Sequence, residues 1–232
     1  MSDPYILHYA PDNASLVIRL TLEEMGLPYR TVLVDRSVAA QRAPDYLKLN
    51  PNGLIPVLET PQGALFETGA ILMWLGEQHT AMLAPVASPA RAHLIKWLFF
   101  VSNTLHADLR LLFYPQYYCP PDGHEGLRAT VRGRLTRHLA LLDHAAGALG
   151  WFDPDAPLVI DYYLACLIRW AQLYPVDAPR DWFDITATPT LRAGLTQLET
   201  RAATHAAQQA EGLGPTPFTS PRHAVPPEGS AL

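Results

Sequence analysis

Three short segments bring together the side chains and backbone turns that could do chemistry. The first is YAPDNAS, Tyr9 to Ser15, where a strand-like run gives way to a helix start. Free backbone N–H groups and partial positive charge at such a junction favour an anion such as a thiolate. Tyr9, Asn13 and Ser15 are the donors at hand. The second is NPNGLIPVLE, Asn50 to Glu59. Asn50-Pro51 and Asn52-Gly53 mark a turn, and a proline opening a strand can take the cis form. The N–H and C=O of Ile55 are then exposed to a peptide-like ligand added as an extra strand. The third is FETGAILMWL, Phe66 to Leu75. Here the Thr68 hydroxyl and adjacent amides can hold a carboxylate at a helix start, while Glu67 holds an ammonium group. The α-carbon end of an amino acid suits that pair.

A fourth stretch, KWLFFVSNTLHADLRLLFYPQYY, places His106, Arg110, Phe113, Tyr114 and Tyr117 at steps of four, three, one and three. Helical spacing puts them on or near one face, as lining for an apolar pocket. Each also has a plainer reading. His106 and Tyr9 are as readily core residues with satisfied polar atoms, Arg110 can pair with Asp108 or Glu125, and the tyrosines can serve packing or a subunit contact.

The rest of the composition narrows the chemistry. Cys119 and Cys166 are the two cysteines, one before a Pro-Pro pair and one in an apolar run, with neither disulfide nor metal-ligand spacing. The nine histidines are scattered, so no metal is expected. A net charge of −5 without a basic block argues against nucleic acid. No apolar run approaches the roughly 20 residues of a membrane span, and MSDPYILHYA lacks the charged and apolar regions of a signal peptide. A cytoplasmic protein is expected.

The elements that must position these residues follow from periodicity. Residues 1–80 alternate strand and helix patterns. Tyr5 to Tyr9 reads as a strand, and Ser15 can cap a helix that stops at Gly26. Tyr29 to Val34 reads as a second strand, followed by a short irregular helix around Ala43 to Leu47. Pro56 to Glu59 and Ala64 to Phe66 form a hairpin, and a last helix starts at Glu67. This is a βαβ-αββα unit. APVASP within 81–89 reads as a linker. Residues 90–212 are helical by period, over 91–113, 126–149, 158–173 and 189–211, which predicts an all-α bundle after the α/β unit. The tail 213–232, rich in proline, glycine and serine, is expected to run over the surface or stay disordered.

Read in order, APDNAS with LEEMGLPY after it, NPNGLIPVL and ETGAIL resemble the glutathione site of the cytosolic glutathione transferases across about residues 4–80. The resemblance implies a thioredoxin-like first domain and a helical second one, with glutathione as co-substrate. It implies further that Ile55 pairs with the cysteinyl backbone across a cis Pro56 and that Glu67 and Thr68 hold the γ-glutamyl end. The second substrate would meet His106, Arg110, Phe113, Tyr114 and Tyr117, and His106 matches a histidine that beta-type bacterial members direct to the active site. Asp161 matches an acidic capping residue of the second domain, with Leu158 where a serine or threonine is usual. A homodimer is implied by the family alone.

Two departures bear on chemistry. Ala14 stands where beta-like bacterial members often carry cysteine, which excludes a mixed disulfide at that position. The thiol-activating role therefore falls to Asn13 or Ser15 ahead of Tyr9. Leu54 stands where a basic or amide side chain is common, so Arg42 or Arg36 would have to reach the glycyl carboxylate. The resemblance predicts an enzyme that adds the glutathione thiolate to small hydrophobic electrophiles. A non-catalytic glutathione-binding scaffold and a glutathione-dependent disulfide reductase are the alternatives.

Overall fold

The computed structural model describes residues 4–153 and 155–231. Strand β1 (Tyr5–Tyr9) leads through a tight turn to helix α1 (Ser15–Glu24) and the parallel strand β2 (Tyr29–Leu33). Two short 3-10 turns precede helix α2 (Pro44–Leu49), and the hairpin of β3 (Val57–Thr60) and β4 (Gly63–Phe66) runs into α3 (Thr68–His79). The sheet order is β2-β1-β3-β4, with β3 antiparallel to both neighbours. This is the expected βαβ-αββα arrangement. Gly26 ends α1 in the left-handed conformation at φ +63°, as a helix stop should. Ser15, however, is the first helical residue and not the cap: Ala14 holds the cap position without a side-chain bond.

The chain divides into two compact units, and the division differs from the expected domains 1–80 and 90–212. The first unit comprises residues 1–83, 199–217 and 222–232; the second comprises 84–198 and 218–221. The helical pattern expected to run unbroken over 189–211 is split into α8 (Pro189–Leu198) and α9 (Ala202–Glu211), and α9 belongs to the first unit. Its packing explains why α1 is buried from Ser15 to Leu22, on more than one face. Arg19 of α1 is itself buried and meets the buried Glu211 of α9, Nε to Oε1 at 2.7 Å. Arg201, at the start of α9, forks onto both carboxylate oxygens of Glu24. Burying the Arg19–Glu211 pair carries a large desolvation penalty, so removing either partner would leave an uncompensated buried charge.

The tail, expected to run over the surface or stay disordered, takes an irregular course with two buried anchors. Residues 213–231 form no regular element, yet Leu213 and Phe218 are fully buried. The Val225 N–H donates to the Gly212 carbonyl at 2.9 Å. At Gly212, with φ +65°, a Cβ would lie 1.9 Å from the Val225 oxygen, so glycine alone permits that close return. Near its end the tail meets β1 and β2: Glu228 accepts the Tyr9 hydroxyl, and Gly229 packs against Leu33 and Pro11.

The second unit is helical. Helix α4 (Pro89–Phe100) opens with proline at its first position, and a π-turn over Val101–His106 joins it to α5 (Ala107–Phe113). Helix α6 (His124–Leu149) follows, and α7 (Val159–Leu173) is buried almost all round, as a bundle's central helix must be. Its start is held as the sequence implied: Asp161 Oδ2 accepts the Leu158 N–H at 2.9 Å, while Leu158 has no polar group to reciprocate. No helix among the described residues is long and apolar enough to cross a membrane.

Candidate functional site

Sheet register, before any side chain, gathers the three segments. His8 pairs with Val57 across β1 and β3, and Val57 pairs with Phe66 across β3 and β4. The residues just beyond that row are the turn after β1, the Ile55-Pro56 step before β3 and the Glu67-Thr68 step after β4. All three therefore lie at one end of the sheet.

The Ile55-Pro56 bond is cis, as the sequence implied. Ile55 lies outside the β1–β3 ladder, and no described residue hydrogen-bonds its N–H or C=O. The turn before it is closely held. The buried Asn50 accepts the Asn52 N–H on Oδ1 at 3.0 Å, and the Gly53 N–H reaches the Asn50 carbonyl at 2.9 Å. Leu54 contributes its carbonyl, which accepts the Tyr46 hydroxyl and the Asn50 Nδ2, each at 2.8 Å. Burial raises the Tyr46 phenol well above its ordinary pKa, so it remains a donor. Gly53 sits at φ +59°, and a Cβ there would approach an Arg42 terminal nitrogen to 2.8 Å. Arg42 donates to the Asn52 carbonyl at 3.1 Å on the exposed side of this turn, whereas Arg36 reaches the Ala231 carbonyl at 3.5 Å. Sequence reasoning missed Tyr46 and Asn50 as a pair; the NPNG motif pointed to a turn but not to what its asparagine holds.

Across the hairpin, Glu67 precedes α3 at φ +70° and ψ +112°, a conformation that strains any residue with a Cβ. Its carboxylate is exposed, and no described side chain pairs with it. Thr68 is buried at the first helical position, and the first main-chain bond of α3 is Ile71 N–H to the Glu67 carbonyl at 3.0 Å. The N–H groups of Thr68, Gly69 and Ala70 thus open α3 without helical partners, the arrangement that binds carboxylates.

At the turn after β1, most polar groups are already occupied. The Ser15 hydroxyl is fully buried; it donates to the Ala10 carbonyl at 3.0 Å and accepts the Ala10 N–H at 3.3 Å. Tyr9 is buried, lies under the Arg19 guanidinium at 4.7 Å and donates to Glu228. Burial, followed by the Glu228 carboxylate, raises its pKa well above the ordinary tyrosine value. Asn13 is partly exposed. Its Oδ1 accepts the Ala14 N–H at 2.8 Å, while its Nδ2 donates to no described residue.

In the second unit, His106 lies at the end of the π-turn. Its Nδ1 is 2.8 Å from the Tyr163 hydroxyl, and its ring is edge-on to Tyr163 and tilted on Trp170. Burial, with the Arg110 charge second, lowers its pKa to about 4, so it is neutral at pH 7. Arg110 donates from Nε to Tyr118 at 3.0 Å and lies 5.7 Å from the Tyr114 ring centroid. The expected partners Asp108 and Glu125 are bound by Arg134 and Arg132 instead. The single helical face expected through Tyr117 ends early. Helix α5 stops at Phe113, because Pro115 disfavours helical backbone at Tyr114, and Tyr117 sits exposed in a 3-10 turn beside Tyr114.

The family model for the glutathione S-transferase N-terminal domain matches residues 4–77. Glutathione S-transferase GST-4.5 of Xanthomonas campestris is 30% identical over 214 residues, 89% of this chain and 98% of that protein. Glutathione S-transferase GstA of Escherichia coli O157:H7 is 32% identical over 169 residues, covering 71% and 81% of the two chains. Among solved structures, a sphingomonad glutathione S-transferase complexed with glutathione superposes with a TM-score of 0.73 at 29% identity, covering 90% of this chain and all of that one. The chain belongs to the glutathione S-transferase family.

Proposed function

We propose that the protein binds glutathione at the sheet end described above and transfers its thiolate to small hydrophobic electrophiles. One observation carries this reading: the N–H and C=O of Ile55 lack a partner among the described residues, and Ile55 and the open N-terminus of α3 at Thr68 each lie two residues beyond the Val57–Phe66 pair. A γ-glutamyl tripeptide matches that pair, since its cysteinyl main chain can add beside Ile55 as an extra strand. Its glutamyl carboxylate can then accept from Thr68 and the α3 amides, and its ammonium can meet Glu67. Arg42 is the candidate for the glycyl carboxylate, because Leu54 offers none of the needed donors.

For thiol activation this reading selects Asn13. Its Nδ2 is the side-chain donor at the first turn not already engaged, whereas Ser15 closes the turn and Tyr9 holds the tail. A free thiol has a pKa of about 8.5, and each unit of lowering corresponds to about 1.4 kcal/mol of thiolate stabilisation, within the reach of one good hydrogen bond and a helix N-terminus. Phe113 and Tyr114 are assigned to the apolar part of the electrophile, with His106 as a neutral group and Arg110 and Tyr117 nearer solvent. A homodimer is part of the proposal.

The test is retention on immobilised glutathione, followed by conjugation of 1-chloro-2,4-dinitrobenzene. Thr68→Ala should weaken retention about tenfold, from the loss of a hydrogen bond to a charged group. Retention without conjugation would favour the scaffold alternative. Reduction of a small mixed disulfide at a rate exceeding conjugation would favour the reductase. No retention overturns the proposal.

A further inference from the structure

We propose that Tyr46 and Asn50 are positioning residues for glutathione: by holding the Leu54 carbonyl inward, they aim the Ile55 N–H at the ligand. The inference rests on the glutathione reading above and extends it from the groups that touch the ligand to those that fix them.

The geometry follows from one peptide plane. The Leu54-Ile55 bond is trans, so the Leu54 C=O and the Ile55 N–H point in opposite directions. Whatever fixes the carbonyl fixes the N–H. Two donors converge on that oxygen at 2.8 Å, the Tyr46 hydroxyl and the Asn50 Nδ2, and Tyr46 and Asn50 are only 7% and 2% exposed. The carbonyl therefore points into the protein and the Ile55 N–H points away. Both acceptor sites of the oxygen are filled. Turning the plane over would strand two buried donors, each lost hydrogen bond being unfavourable.

The two donors are themselves fixed. Tyr46 packs edge-on against His8 at 5.9 Å, and His8 Nε2 is 2.7 Å from Glu59 Oε1 on the neighbouring strand. Asn50 is held through its own Oδ1 and carbonyl by the N–H groups of Asn52 and Gly53. The peptide plane thus inherits the rigidity of α2, β1 and β3, and the ligand need not order it.

The experiment uses the full chain, Tyr46→Phe and Asn50→Asp. Each variant keeps its residue's shape; Tyr46→Phe removes one donor to Leu54, and Asn50→Asp, measured at about pH 8 where the carboxyl is ionised, removes the other. Glutathione affinity is measured by calorimetry, and KM and kcat with 1-chloro-2,4-dinitrobenzene. Each variant should raise the glutathione Kd and KM about three- to tenfold. The kcat at saturating glutathione and the KM for the halide should stay unchanged, a split that general loosening of the fold would not produce. In the parent chain, the Ile55 amide should exchange freely without glutathione and become protected with it, a readout independent of either variant's folding. If the parent does not bind glutathione, the functional reading and this inference fall together. If it binds while the variants match it, or while Ile55 stays unprotected, this inference alone is overturned.

Discussion

The three segments at the site end of the sheet make two opposite uses of their polar groups. Around Ile55 and Thr68, main-chain donors and acceptors face outward, while buried side chains such as Asn50 and Tyr46 hold the turn behind them. Around Tyr9 to Ser15, two of the side chains that look chemically suitable are consumed in holding the protein together, Ser15 on Ala10 and Tyr9 on Glu228. On the proposed function, recognition is built from backbone supported by side chains, and the first turn keeps one small donor for the thiol, Asn13. The second unit repeats the second pattern, with His106 bound to Tyr163. Residue type alone identifies a candidate; the partner it already has decides what remains for a ligand.

The largest expected effect breaks the occupied side. Glu211→Ala leaves the Arg19 guanidinium buried without its carboxylate, which should cost about 3–5 kcal/mol. Urea denaturation should show a lower midpoint, and the loss should exceed that of any variant at Ile55 or Thr68. A parent-like midpoint would mean that Arg19 is not held as described.

Acid should sharpen the contrast in the second unit. His106 has a folded pKa of about 4 against about 6.5 unfolded, so between these values the unfolded chain binds the extra proton. Its contribution is fully present above pH 6.5 and is lost as pH falls through that window, by about 3 kcal/mol on the scale of 1.36 kcal/mol per unit. His106→Gln should remove that segment of the stability–pH curve. If the two curves stay parallel from pH 7 to pH 4, His106 is not held as a neutral group.

At the recognition side, Glu67→Gly should separate stability from affinity. Glycine accepts φ +70° without a Cβ penalty, so the variant should gain about 0.5–1 kcal/mol in thermal unfolding. It loses the carboxylate proposed for the glutathione ammonium, so affinity for glutathione should fall by roughly tenfold. Affinity and stability rising together would remove Glu67 from the binding role.

What the sequence revealed follows the same division. The NPNG turn and the start of α3 are legible because glycine, proline and threonine act within a few residues of themselves, whereas the cis form of Pro56 is what the family resemblance implies. Helix α9 is not legible. TQLETRAATHA is helical in composition throughout, and its break coincides with Arg201 meeting Glu24, 177 positions away. For the tail, proline and glycine allow either a surface course or disorder, and composition does not choose between them. Here Gly212 is what lets residues 212 and 225 approach. In sequence Ser15 looks like a cap and a thiol donor because its backbone partner at Ala10 lies outside any helix periodicity.

Tyr9 provides the smallest effect and the finest test of the contrast. Its hydroxyl donates to Glu228, an exposed tail residue, and burial with that carboxylate keeps the phenol protonated. If the hydroxyl serves the tail and not the thiol, Tyr9→Phe should leave the conjugation rate within about twofold and reduce stability by about 1 kcal/mol, the net worth of one hydrogen bond. Glu228→Gln should match it in stability, because both changes act on one contact, and the double variant should add little. Limited proteolysis should then cut the tail sooner in all three. A rate that falls a hundredfold in Tyr9→Phe but not in Glu228→Gln would return the phenol to the thiol and displace Asn13, since the tail contact would then be incidental to what the hydroxyl does.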